Sequence, residues 1–183
     1  LFKALAMFLV VVLHVNTLGT AFDSSVPGSA QWWLTDGMMT AAYCCVDCFA
    51  LATGFLMAER AFRPGRIVSL WLQVAFYAVV TTVVWYFAVP GAVGLKDIVS
   101  AFFPVLTSKY WYFSAYFVLF FFMPLINAML HALDKRSRGA LLAAVFVFLS
   151  LLPTFRPLGV IPLSAGYCFL WLAALYIIGA CIK

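Results

Sequence analysis

Two ionisable side chains, His14 and Asp47, sit in the middle of long apolar runs. Charge is costly in hydrocarbon, so such residues are the first candidates for function. Lys3 lies eleven positions before His14. On one helix, eleven steps of about 100° return to within about 20° of the start, roughly 16 Å along the axis. One face then carries a cation at one end and an imidazole at the other. An imidazole takes up and releases protons, which suits a general base or a proton relay. The alternative is a histidine satisfied by a neighbouring helix or by the interface. Asp47 has Thr40, Tyr43 and Gly54 at i−7, i−4 and i+7, a narrow polar stripe that faces a partner helix. Its carboxylate can orient or charge-stabilise His14, or serve as a structural hydrogen-bond anchor. Arg60, Arg63 and Arg66 form a basic cluster in one short loop. They mark topology and touch anionic headgroups, or they clamp the phosphates of an anionic substrate.

Cys44, Cys45 and Cys48 raise the question of a metal. The remaining cysteines, Cys168 and Cys181, are far away in sequence, and no second His/Cys cluster completes a tetrahedral set. The expectation is no metal, no bound cofactor and five buried thiols behaving as small hydrophobes.

The elements that position these residues are membrane spans. Of 183 residues, 67% are hydrophobic and 9% charged, against about 25% charged in a soluble domain. Much of the outer surface must therefore face lipid. Six apolar stretches are legible: Leu1 to Leu18, Gly37 to Ala58, Ile67 to Val89, Tyr110 to Leu130, Gly139 to Leu152 and Leu163 to Ile182. The fifth is short for a span and has room to extend past Pro153. The predicted fold class is all-α, a polytopic transmembrane bundle of about six spans. Gly19 to Asp36, Pro90 to Lys109 and Pro153 to Pro162 read as outer loops, rich in turn formers.

Eight of the 11 Lys and Arg fall on one side if six spans alternate: Lys3, Arg60, Arg63, Arg66, Lys135, Arg136, Arg138 and Lys183. Lys96, Lys109 and Arg156 fall on the other. The basic side is expected in the cytoplasm, with the N-terminus. The net charge of +5 is thus a topology signal rather than a nucleic-acid footprint, and the expected medium is the bilayer. Trp32, Trp33 and Trp111 suit an outer aromatic belt. Pro124 should kink its helix, with Asn127 one turn on to bond freed carbonyls. The chain starts and stops within apolar runs, so residues 1–183 are expected to be a single domain cut from a larger protein.

Four segments carry a family pattern. Leu1 to His14 ends in a histidine preceded by a basic residue eleven positions back. Val46 to Met57 contains Thr53-Gly54-Phe55-Leu56; Tyr110 to Asn127 contains Trp-Tyr-Phe and Pro-Leu-Ile-Asn; Gly166 to Lys183 contains Gly-Tyr and Leu-Tyr-Ile-Ile-Gly-Ala. Together they resemble membrane-bound acyltransferase family 3, which includes many bacterial glycan O-acetyltransferases. The family has Arg where Lys3 stands, and Ser where Thr53 stands. Lysine keeps the charge but loses the bidentate fork.

The resemblance implies about ten spans in the complete protein, and a bacterial plasma membrane location. It implies transfer of an acyl group, commonly acetyl, from cytoplasmic acyl-coenzyme A to a carbohydrate hydroxyl at or beyond the outer face. His14 would be general base or transient acyl carrier, and Asp47 would support the polar interior. Lys3, Arg60, Arg63 and Arg66 would contact the donor. The rival readings from the residues alone are a proton-coupled transporter, with His14 and Asp47 as relay, and a membrane sensor domain.

Overall fold

The computed structural model describes residues 2–19, 24–107, 110–155, 163 and 166–183. The described residues are helical and contain no strand. Seven helices follow in order: α1 (Phe2–Leu18), α2 (Ala30–Met57), α3 (Gly65–Ala88), α4 (Leu95–Ala101), α5 (Trp111–Ala132), α6 (Lys135–Phe155) and α7 (Phe169–Ile182). By length and composition, α2, α3, α5 and α6 can each cross a membrane, while α1 and α7 are shorter apolar helices. Each of the six expected stretches contains a helix, and the all-α membrane class holds.

The boundaries differ from expectation: α6 starts at Lys135, four residues before Gly139, the last helix starts at Phe169, six residues after Leu163, and three further differences have a local reason. First, α2 begins seven residues earlier, inside the expected loop Gly19 to Asp36. Ser29 caps it: its Oγ accepts from Trp32 N at 3.1 Å and its carbonyl from Trp33 N at 3.1 Å. Second, the loop Pro90 to Lys109 contains α4. Asp97 closes that helix's first turn by accepting from Gly94 N at 2.8 Å. Third, the fifth stretch does run past Pro153, through a π turn at Val147–Leu151. Proline has no N–H and its ring clashes with the carbonyl four residues back. The widened turn absorbs that conflict, with Leu152 N donating to Val147 O. Lys109 and Arg156, expected on the outer side, lie outside the described residues.

The chain divides into two compact units. The first comprises residues 1–56 and 175–183: α1, α2 up to Leu56, and the last part of α7. Within it α2 and α7 meet backbone to backbone. A Cβ on Gly54 would run into Tyr176 O and Ala180 N, and one on Gly179 into Leu51 O. Small residues at such a crossing allow the close approach that substitutes for a hydrophobic drive inside lipid. Tyr176 is wholly buried beside it.

The second unit, residues 57–174, holds α3 to α6 and the start of α7. Its core is the inner face of α5, with Phe113, Leu119, Phe120 and Met123 buried. Phe62 stacks against Phe120 with ring centres 5.0 Å apart, and Phe122 against Phe169 at 5.1 Å. On α3 the buried face is Ile67, Ala75, Ala78 and Thr82, at helical spacing. Asp134 caps α6 by accepting from Ser137 N at 3.2 Å. The hydrogen bonds from Ser137 hold the Asp134 carboxyl below the usual carboxylate range.

Two outcomes are expected from this packing. Gly54→Leu or Gly179→Leu should lower stability by about 1–3 kcal/mol through overpacking. Phe76→Leu, on the exposed face of α3, should leave the melting temperature in detergent unchanged. The Asp134 cap, with its lowered pKa, is in place at neutral pH and is lost as pH falls through the folded value. The protection of the Ser137 amide, taken relative to its intrinsic exchange rate at each pH, should fall over that acidic range.

Candidate active site

His14 and Asp47 belong to the first unit. α1 is continuous from Phe2 to Leu18, so the eleven-residue offset between Lys3 and His14 is a helical one. The side chain of Lys3 lies outside what the structure describes. His14 is exposed, and its Nδ1 is 2.8 Å from the carbonyl of Val10. A carbonyl oxygen only accepts, so Nδ1 carries the proton in that bond. In the neutral ring the lone pair is then on Nε2. The group that orients the imidazole is thus a backbone carbonyl of its own helix.

The same device recurs along this end of α1. Asn16 donates to Val12 O at 2.9 Å and Thr17 to Leu13 O at 2.8 Å. The polar end of an apolar helix satisfies itself locally. Asp47 is half-buried on α2. Of the stripe expected around it, Gly54 is buried against α7, but Tyr43 is 52% exposed and Thr40 is also exposed. Only the Gly54 end packs as expected. Among the cysteines Cys45 is buried, whereas Cys44 is exposed and donates to Ala41 O at 3.1 Å. Of the five thiols expected to be buried only Cys45 is: Cys48, Cys168 and Cys181 are half-buried, and Cys44 faces outward on α2. Among the described residues no group of three His, Cys, Asp or Glu side chains is placed to hold a metal ion.

Arg60, Arg63 and Arg66 lie in the second unit, all three exposed. Their segment is folded around Met57. The Met57 carbonyl accepts from Arg60 N at 3.2 Å, and its sulfur faces Arg66 Nη1 at 3.6 Å. Arg66 N bonds Arg63 O at 3.0 Å, in the turn that opens α3. Two side chains of α5 reach the same segment. Asn127 Nδ2 donates to Met57 O at 3.1 Å, and His131 Nε2 to Ala58 O at 3.4 Å. Arg60, Phe62, Met123, Pro124, Asn127 and His131 line an open cavity of about 410 Å³ there.

Sequence reasoning assigned no chemistry to Asn127 or His131. A signal for both was present: they are four residues apart, on one face of α5, just after Pro124. Asn127 was expected to bond carbonyls freed around Pro124; its amide donates to a carbonyl 70 residues away.

No curated protein and no solved structure matches the chain. A family model described as an acyltransferase domain matches residues 1–183. The four segments that carried the resemblance lie on α1, α2, α5 and α7. With that match over its whole length, and with apolar helices able to cross a bilayer, the chain belongs to membrane-bound acyltransferase family 3.

Proposed function

We propose that the protein is an integral-membrane O-acyltransferase. It moves an acyl group, acetyl in the simplest case, from cytoplasmic acyl-coenzyme A to a hydroxyl of a cell-envelope carbohydrate. The observation that carries this reading is the hydrogen bond from His14 Nδ1 to Val10 O. It leaves Nε2 as the basic nitrogen of the neutral ring.

In the transfer, Nε2 takes the proton of the acceptor hydroxyl as its oxygen attacks the thioester carbonyl. A C–O bond forms and the C–S bond breaks. The imidazolium then returns the proton to the departing thiolate, giving ester and free thiol. Asp47 supports the polar interior around the transfer. Lys3, Arg60, Arg63 and Arg66 hold the phosphates of the donor, which needs cations on the cytoplasmic side. The distribution of Lys and Arg supports an N-terminus in the cytoplasm, and the family supports a bacterial plasma membrane location.

His14→Ala should lower acyl transfer by about 10²- to 10⁴-fold with an unchanged melting temperature. Wild-type transfer by the folded variant rules out the role of His14. Lys3→Arg restores the fork that the family carries. It should lower KM for the acyl donor severalfold with kcat little changed. A higher KM would remove Lys3 from the donor site.

A further inference from the structure

Of the three arginines assigned to the donor, Arg60 and Arg63 sit on a segment with little helical support of its own, and Arg66 stands in the first turn of α3. Residues 58–64 form turns and irregular backbone between α2 and α3. Free in water, such a segment would sample many conformations. Two long cations, Arg60 and Arg63, would then have to be ordered at each binding event, at a cost in affinity. What holds the segment is a set of bonds converging on Met57 and Ala58. Met57 ends α2, so its carbonyl has no intrahelical partner. It accepts from the backbone of Arg60 and from the side chain of Asn127. Its sulfur meets the guanidinium of Arg66. His131, one turn beyond Asn127 on α5, bonds the next carbonyl, that of Ala58.

We infer that Asn127 is a positioning residue for the acyl donor: by bonding Met57 O it presets the arginine segment on α5, and so sets donor affinity. The inference rests on the reading of Arg60, Arg63 and Arg66 as the donor's phosphate contacts. Asn127 acts through Met57 and Arg60 and touches no reacting atom. Its loss therefore weakens donor binding and leaves the chemical step intact. Asn127 faces the 410 Å³ cavity that Arg60 also lines, so the anchor and at least one anchored cation share one cleft. His131 supports the same segment through a longer bond and contributes less.

The test uses the purified protein in lipid nanodiscs, with coenzyme A as the probe. Equilibrium binding, KM for acetyl-coenzyme A and kcat are measured for the wild type, Asn127→Ala, Asn127→Gln and Met57→Leu. Asn127→Ala should weaken coenzyme A binding and raise KM about five- to tenfold, the loss of one hydrogen bond. Its kcat at saturating donor should stay within about twofold of wild type. Asn127→Gln, which keeps the amide donor, should recover most of the affinity. Met57→Leu removes the sulfur contact to Arg66 at nearly constant volume and should weaken binding two- to threefold.

Wild-type affinity in Asn127→Ala, or a fall in kcat at unchanged KM, overturns the inference while leaving the donor assignment standing. Failure of the wild type to bind coenzyme A overturns the donor assignment itself, and this inference with it. If Asn127→Ala does not fold, Asn127→Gln and Met57→Leu decide: unaltered affinity in Met57→Leu, or no recovery in a folded Asn127→Gln, counts against the inference.

Discussion

Inside hydrocarbon a polar group has only protein to bond, and this constraint orders most of what the structure shows. Side chains that would be solvated in a soluble protein turn back on their own helices. Thr35 bonds Gln31 O, Thr53 bonds Phe49 O, Thr82 bonds Ala78 O, and His14, Asn16 and Thr17 do the same on α1. Among the described residues no buried side-chain nitrogen or oxygen is left without a partner. The catalytic histidine proposed here is one more case of that habit. A bond that costs the helix almost nothing also decides which imidazole nitrogen can act as a base.

The same constraint explains the second cluster. A helix that ends near the membrane surface leaves carbonyls needing donors. At Met57 and Ala58 those donors come from a distant helix, α5, and from the arginine segment itself. Satisfying a helix end and ordering a cationic loop are thus one act. Packing follows a parallel rule in the first unit, where Gly54 and Gly179 let two backbones approach because no larger residue fits.

Much of this was legible in the residues. Hydropathy located every apolar helix, because about 20 apolar residues have few alternatives to spanning a bilayer. The family pattern was legible as well, since Leu1 to His14, Val46 to Met57, Tyr110 to Asn127 and Gly166 to Lys183 follow the expected order. The missed features depend on single side chains or on distant contacts. Ser29 starts α2 within a stretch whose Gly, Pro and Ser content reads as loop. The helix α4 is only seven residues long, below what a hydropathy window detects. Asn127 and His131 find their partners some 70 residues away, and no local pattern states such a pairing.

The π turn in α6 has a consequence for how that helix is read. The bond from Leu152 N to Val147 O spans five residues where an α-helix spans four, and the extra residue shifts the angular phase of everything after it. Wheel positions counted from Leu141 or Val145 stop predicting orientation once the chain passes Leu151. Thr154 and Phe155 therefore belong to a different stripe than their numbers suggest. A relative lacking one residue here could keep an unbroken α-helical phase and the same end points. The segment Val147–Leu151 is thus a natural place for lengths to differ between homologues while the span itself is preserved.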